Sequence, residues 1–186
     1  PLPLSATLDD DPEELGQAIR AFLDVDDQAQ QKSARQAFDF WRRRLEEHNV
    51  LVFVVSGPHR SGELSEMRGF AIAKAELPAI VINGKDYSQG GRAFTLLHEF
   101  CHVLLGESAI SNGAGDDIAL TPDERRIERF CDAVAAATLM PRDVLMSFSE
   151  VADAARREWS HDELRPIAQQ LGVSRAPVRE AMFQLE

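Results

Sequence analysis

The sequence predicts a mixed α+β fold in which a small mixed sheet packs against one histidine-bearing helix. Short apolar runs rich in β-branched residues are typical of buried strands, and they lie between amphipathic helical stretches. An apolar fraction of 44% in 186 residues is enough for a core. The net charge of −11 disfavours a large nucleic-acid surface, and the absence of a run of about 18 apolar residues argues against a membrane span.

Helices are predicted first along the chain, and strands follow them. Residues 1–10 are rich in proline and then acidic, without a helical period, and are predicted to be a linker. Asp11 is a suitable N-cap and Pro12 a suitable first residue for a helix that runs to about Asp24. A second helix is predicted over about 28–47. The predicted strands are 51–55, 67–73 and 79–83, with a loop at 56–66.

A His-Glu-x-x-His motif occupies residues 98–102. Residues four apart share one face of a helix, so His98 and His102 can bind the same metal ion. Imidazole nitrogens suit zinc, and Glu99 lies where it can take a proton from a zinc-activated water. Apolar residues flank the motif on both sides, and Gly106 is a suitable helix end. The motif therefore predicts one zinc ion, with Glu99 as the general base.

The next predicted helix carries the candidates for a third ligand. Strong helix formers follow Thr121 and continue to a proline at position 141. Glu128 and Asp132 lie about one turn apart, so Glu128 can bind the metal while Asp132 accepts the ring N–H of a ligand histidine. Glu124, one turn earlier, is the alternative third ligand. These acids can also simply form the solvated face of an amphipathic helix.

Both motif-bearing segments resemble the ImmA/IrrE family of bacterial metallopeptidases. The resemblance rests on 92–106 around the histidine motif and on 128–132 followed by Leu-Met-Pro at 139–141. The stretches 68–70 and 78–83 are similar to the two strands that precede the motif in that family, so the resemblance covers most of residues 40 to 145. In the family, Asn usually stands where this chain has Asp132, and Asp can accept the same hydrogen bond.

This resemblance implies a zincin-like metallopeptidase domain over 11–150, with Glu128 as the third zinc ligand. It implies a cytoplasmic protein substrate, a helix-turn-helix transcriptional repressor whose cleavage relieves repression. In such folds an extended substrate commonly pairs with a strand beside the metal helix, a role that falls to 78–83 or 67–73. An Xre-type DNA-binding domain often precedes this region in the family, and none is visible here.

The last part of the chain, 151–186, is predicted to be a helix-turn-helix-like region. Residues 164–182 follow a helix, glycine turn, helix pattern that is similar to GntR-type regulators, which nominates Arg175 and Arg179 as DNA contacts. Residues 160–186 hold three arginines against four acids, so the region is not basic. ImmA/IrrE proteins carry a similar tail that can serve packing or substrate capture. DNA contact is therefore the minor interpretation.

The two cysteines are expected to remain reduced, as is usual for an intracellular protein. Cys101 and Cys131 lie three residues after His98 and Glu128 respectively, so a thiolate fourth ligand deserves consideration. Such a closed site would leave no position for water, which favours two small thiols packed between helices. No secretory leader precedes the first helix, which favours a cytoplasmic location. His161 and Tyr87 are minor candidates for steadying an oxyanion.

Two other classes of function stay open at this point. The protein can be a transcriptional regulator or sensor in which the metal site binds a ligand or partner, or holds the fold, without cleavage. It can also be an antitoxin-like interaction protein built on an inactive peptidase fold. The intact Glu99 favours the peptidase, because a purely structural zinc site needs no general base. Manganese or iron can occupy the same ligands.

Overall fold

The computed structural model describes residues 1–26, 34–55, 67–84, 89–108, 110–112, 120–148, 151, 159, 161–171 and 175–183. Within these residues the helices are α1 (Pro12–Phe22), α2 (Ala34–Glu47), α3 (Gln89–Leu105), α4 (Pro122–Leu139), α5 (Arg142–Met146), α6 (His161–Leu171) and α7 (Arg175–Phe183). The strands are β1 (Leu51–Val55), β2 (Met67–Ile72), β3 (Ala79–Asn83) and β4 (Ile110–Asn112). The predicted mixed α+β class is confirmed.

The strands form one mixed sheet in the order β1-β3-β2-β4. β1 runs parallel to β3, whereas β2 runs antiparallel to both β3 and β4. All three predicted strands are present. The fourth, β4, was not predicted, because three residues are too few to show a period and residues 111–117 are composed like a loop. Tyr87 and residues 28–33 of the predicted second helix lie outside the described residues.

The strand order corrects the expected site of substrate pairing. Within the described residues β3 is paired on both sides, and β4 pairs with β2 from Met67 to Phe70, so β3 offers no free edge and β2 offers one only beyond Phe70. Assigning that role to 78–83 was therefore wrong, and the part of 67–73 that pairs with β4 is not available for it either. The edges of the described sheet are β1 and β4. Sequence alone could not reveal this, because the order of strands in a sheet depends on long-range pairing.

Helix α3 lies on one face of the sheet and forms the centre of the core. It packs on β2 and β3, with α2 and α4 against its sides. Its apolar residues Leu96, Leu97 and Phe100 are fully or almost fully buried, as are Ile80 and Ile82 on the inner face of β3. The motif at 98–102 is thus part of a buried helix, as its apolar flanks predicted.

Local capping fixes where the site-bearing helices begin and end. The Asp11 side chain accepts hydrogen bonds from the first turn of α1, as predicted. Thr121 and Glu124 form a reciprocal capping box at the start of α4, with Thr121 N–H donating to Glu124 Oε2 at 2.7 Å. Helix α3 is followed by Gly106 in the left-handed conformation, with φ of 73°.

The two ends of the chain pack against the same central helices. Residues 1–10 form no helix or strand, yet the Ala6 N–H donates to Leu104 O at 2.9 Å. The two predicted tail helices are present as α6 and α7, and α7 packs on α4 through Val178, Ala181 and Met182. Residues 172–174 lie outside the described ranges. The helix-turn-helix likeness and the predicted boundary after residue 150 stay predictions. None of the described helices is long and apolar enough to cross a membrane.

Candidate metal centre

The three ionisable side chains His98, Glu99 and His102 of the motif face the protein interior. His98 is 6% exposed, and Glu99 and His102 are 0% exposed. Burying three groups that can carry charge is costly unless partners satisfy them. Their placement on a buried helix therefore indicates a specific role rather than a solvated surface.

Glu128 of α4 completes a compact group with the two histidines. Its two carboxylate oxygens lie 3.2 Å from His98 Nε2 and 3.3 Å from His102 Nε2. The two Nε2 atoms lie 3.2 Å from each other. The three residues predicted as metal ligands are thus brought together by the packing of α3 against α4.

The spacing of these atoms fits a small tetrahedral ion. Zinc–nitrogen and zinc–oxygen bonds of about 2.0–2.1 Å in tetrahedral geometry put neighbouring ligand atoms about 3.3 Å apart. The observed separations of 3.2 and 3.3 Å match that value. Two neutral imidazoles and one carboxylate are also a donor set that zinc accepts with one position left open. The residues present therefore fit the metal that the motif predicts.

Asp132 holds one of the histidines in a defined orientation. The Nδ1–H of His98 donates to Asp132 Oδ1 at 2.8 Å, which leaves Nε2 directed at Glu128 and His102. This is the arrangement that sequence spacing predicted for an outer carboxylate. His102 differs, because its buried Nδ1 has no hydrogen-bond partner among the described residues. His98 is thus the more firmly oriented of the two rings.

The metal-free cluster shifts the protonation of its members. Burial lowers the pKa of His98, but hydrogen bonds to the Asp132 and Glu128 carboxylates outweigh burial and raise that pKa from 6.5 to about 10. Burial raises the pKa of Glu128, but hydrogen bonds from His102 and His98 lower it from 4.5 to about 2. The Asp132 and Glu128 carboxylates therefore favour the charged form of His98, and the two histidines favour the charged form of Glu128.

Glu124, the alternative third ligand, lies outside this cluster. Its carboxylate is engaged in the capping box with Thr121, and the backbone and side-chain hydrogen bonds from Thr121 lower its pKa. The geometry therefore favours Glu128 over Glu124.

The cysteines pack between the two helices that carry the histidines and Glu128. Both Cys101 and Cys131 are free thiols and fully buried, as expected. A hydrogen bond with Cys101, together with burial, raises the pKa of the Cys131 thiol. Neither belongs to the metal-binding group found among the described residues.

Sequence reasoning missed the close approach of β2 to the catalytic candidate. Gly69 faces α3 so closely that a Cβ placed on it would lie 3.1 Å from Glu99 Oε1. A signal was present, because a glycine inside a strand often marks a close approach of another group. Of the two candidates for steadying an oxyanion, His161 begins α6 and Tyr87 lies outside the described ranges, so that role stays a prediction.

Comparisons with known proteins agree with this arrangement. None of the curated proteins compared with the chain matches it. A family model described as Peptidase_M78, IrrE N-terminal-like domain, matches residues 45–182, well over half of the chain. The match includes the motif helix, the Glu128 helix and the two tail helices. The chain therefore belongs to the Peptidase_M78 family of IrrE N-terminal-like domains.

Proposed function

We propose that the protein is a zinc-dependent endopeptidase in which His98, His102 and Glu128 hold one zinc ion. The observation that carries the proposal is the spacing of the three ligand atoms, 3.2 to 3.3 Å, beside a fully buried Glu99. Membership in a peptidase family supports the same conclusion. A structural zinc site would be closed by a fourth protein ligand, and among the residues that the structure describes the cluster offers three.

Each side chain of the site has a separate part in the proposed hydrolysis. Bound zinc supplies Lewis acidity, which polarises a carbonyl and lowers the pKa of water to about 7. Glu99 accepts a proton from the attacking water and passes it to the leaving amine. Asp132 keeps His98 in the tautomer that presents Nε2 to the cluster. Burial of Glu99 excludes competing solvent and strengthens its electrostatic effect.

The substrate is proposed to approach the partly exposed side of the cluster. The Glu128 and Asp132 side chains are 30% and 43% exposed, whereas those of His98 and His102 are nearly buried. β4 is the edge of the described sheet next to β2, the strand that contains Gly69. The proposed docking edge for an extended peptide is therefore β4, on the side of the sheet order where β2 packs against Glu99.

The proposed substrate is a cytoplasmic helix-turn-helix repressor, which the family resemblance suggested. Zinc-loaded wild-type protein and the Glu99→Gln variant are each incubated with helix-turn-helix repressors from the organism that encodes the protein. The products are identified by mass spectrometry. Cleavage at one or a few bonds by the wild type, with at least a hundredfold loss in a Glu99→Gln variant that retains zinc, supports the proposal. Equal cleavage by both proteins contradicts the mechanism. Tight binding without cleavage by either would instead support the regulator or sensor.

A further inference from the structure

We infer that Gly69 is a positioning residue for Glu99, because its missing side chain creates the space in which the Glu99 carboxylate rests against β2. The inference deepens the proposed function and rests on it for the role of Glu99. The close approach of Gly69 and Glu99 is a feature of the fold and does not depend on the proposed function. Gly69 lies on the buried face of β2, and Glu99 lies on the α3 face that packs against that strand.

The distances show how little room there is beside Gly69. A Cβ added to Gly69 would lie 3.1 Å from Glu99 Oε1, 3.0 Å from Thr95 Cγ2 and 3.0 Å from Val81 O. All three are shorter than ordinary contacts with carbon, which begin at about 3.5 Å. Any side chain at this position must therefore displace at least one of these neighbours.

The Glu99 side chain is the neighbour that can move most easily. Val81 O belongs to the backbone of β3, which is paired on both sides in the sheet. Thr95 is buried on a helix, where a β-branched side chain has few allowed rotamers. Glu99 has three side-chain torsions, so its carboxylate is the neighbour that gives way to an added methyl group, whereas the contacts with Thr95 Cγ2 and Val81 O remain. That shift would move the general base relative to the cluster of His98, His102 and Glu128.

The backbone conformation of Gly69 does not itself require glycine. Among the described glycines, Gly106 has the positive φ, and Gly69 pairs in register with Ile82 of β3. Glycine inside a strand is unfavourable because it contributes no packing and loses much chain entropy on folding. The close approach of Glu99, Thr95 and Val81 O leaves no ordinary space for a side chain here, next to the register shift between Met67 and Gly69 on the β4 side.

The contact is tested by a double-mutant cycle on metal-free protein, using Gly69→Ala, Glu99→Ala and the double variant. Gly69→Ala should lower the folding equilibrium constant of the wild type. In the Glu99→Ala background the same substitution should lower this constant by a factor that is at least about fivefold smaller. The matched control is Gly16→Ala, whose Cβ would lie 2.9 Å from Ala137 Cβ at the α1–α4 contact. This control should destabilise the protein equally with or without Glu99→Ala. Equal effects of Gly69→Ala in both backgrounds would overturn the inference.

Positioning relative to the metal is tested with Co²⁺ as a spectroscopic probe. Gly69→Ala should bind one Co²⁺ with nearly wild-type affinity, because the three ligands are unchanged. Its visible absorption should differ from the wild type, and adding Gly69→Ala to Glu99→Ala should cause no further change. The Gly16→Ala control should give the wild-type spectrum. A wild-type spectrum for Gly69→Ala would overturn the inference while leaving the proposed function intact.

The outcomes keep this inference distinct from the proposed function. If wild-type protein binds no metal, the proposed function fails, and the stability cycle still decides whether Gly69 accommodates Glu99. If Gly69→Ala alone does not fold, recovery of folding in the Gly69→Ala/Glu99→Ala variant supports the contact. Failure to recover would place the steric conflict on Thr95 and Val81 and overturn the inference. With a substrate in hand, Gly69→Ala should lower kcat and leave KM unchanged.

Discussion

Removal of the Asp132 carboxylate should weaken zinc binding without removing a ligand. Asp132 accepts the Nδ1–H of His98 at 2.8 Å, and its side chain is 43% exposed. When a metal-binding histidine donates its other ring N–H to a carboxylate, loss of that carboxylate typically lowers metal affinity by about 10–100-fold. The exposure of Asp132 weakens its electrostatic contribution, which places the expected effect of Asp132→Ala at the lower end, about tenfold.

Asp132→Asn separates the hydrogen bond from the charge. The amide oxygen can still accept from His98 Nδ1, so the expected loss of zinc affinity is only about two- to threefold. Affinities are measured by competition with a chromophoric chelator at constant pH. Asp123→Ala, which removes an exposed acid from the first turn of the same helix, is the control and should bind zinc as the wild type does. Wild-type affinity in Asp132→Ala would refute the assignment of Asp132 as the group that orients His98.

Three other predictions concern the groups around the site. Glu124→Ala should lower the free energy of unfolding through loss of the capping box while zinc stoichiometry is unchanged; loss of zinc would make Glu124 a ligand. Because the pKa of His98 is raised from 6.5 to about 10, its protonation stabilises the metal-free protein fully below about pH 6.5 and loses that effect as pH rises through 10. Denaturant titrations at pH 6, 8 and 10 should show this decline, and His98→Ala should flatten it; an equally steep decline in His98→Ala would assign it to other groups. Cys101 and Cys131 should resist a thiol reagent in native protein and both react after unfolding, whereas rapid labelling of the native state would contradict their burial.

The two helices of the candidate metal site could be predicted because their signals are local. The four-residue spacing of His98 and His102 follows directly from helix geometry, and the acids of α4 repeat at one-turn intervals. Helix ends at Asp11 and Gly106 follow from side-chain capping and from the left-handed conformation that glycine tolerates. Such features depend on a few neighbouring residues, so a single sequence reveals them.

The features that were missed depend on contacts between distant segments. β4 has three residues and owes its existence to pairing with β2 rather than to a periodic pattern of its own. The interior positions of β2 and β3 follow from strand order, which no local signal specifies. The contact between Gly69 and Glu99 joins residues 30 positions apart.

Metal content is the measurement that tests the central claim most directly. Protein purified without chelators is analysed for zinc, manganese and iron, with His98→Ala, Glu128→Ala and Glu124→Ala prepared in parallel. The three-ligand site predicts one zinc per chain in the wild type and in Glu124→Ala, with the ion lost or weakly held in the other two variants. Wild-type protein that takes up no metal even when zinc is supplied, or Glu128→Ala that retains full stoichiometry and affinity, would contradict it.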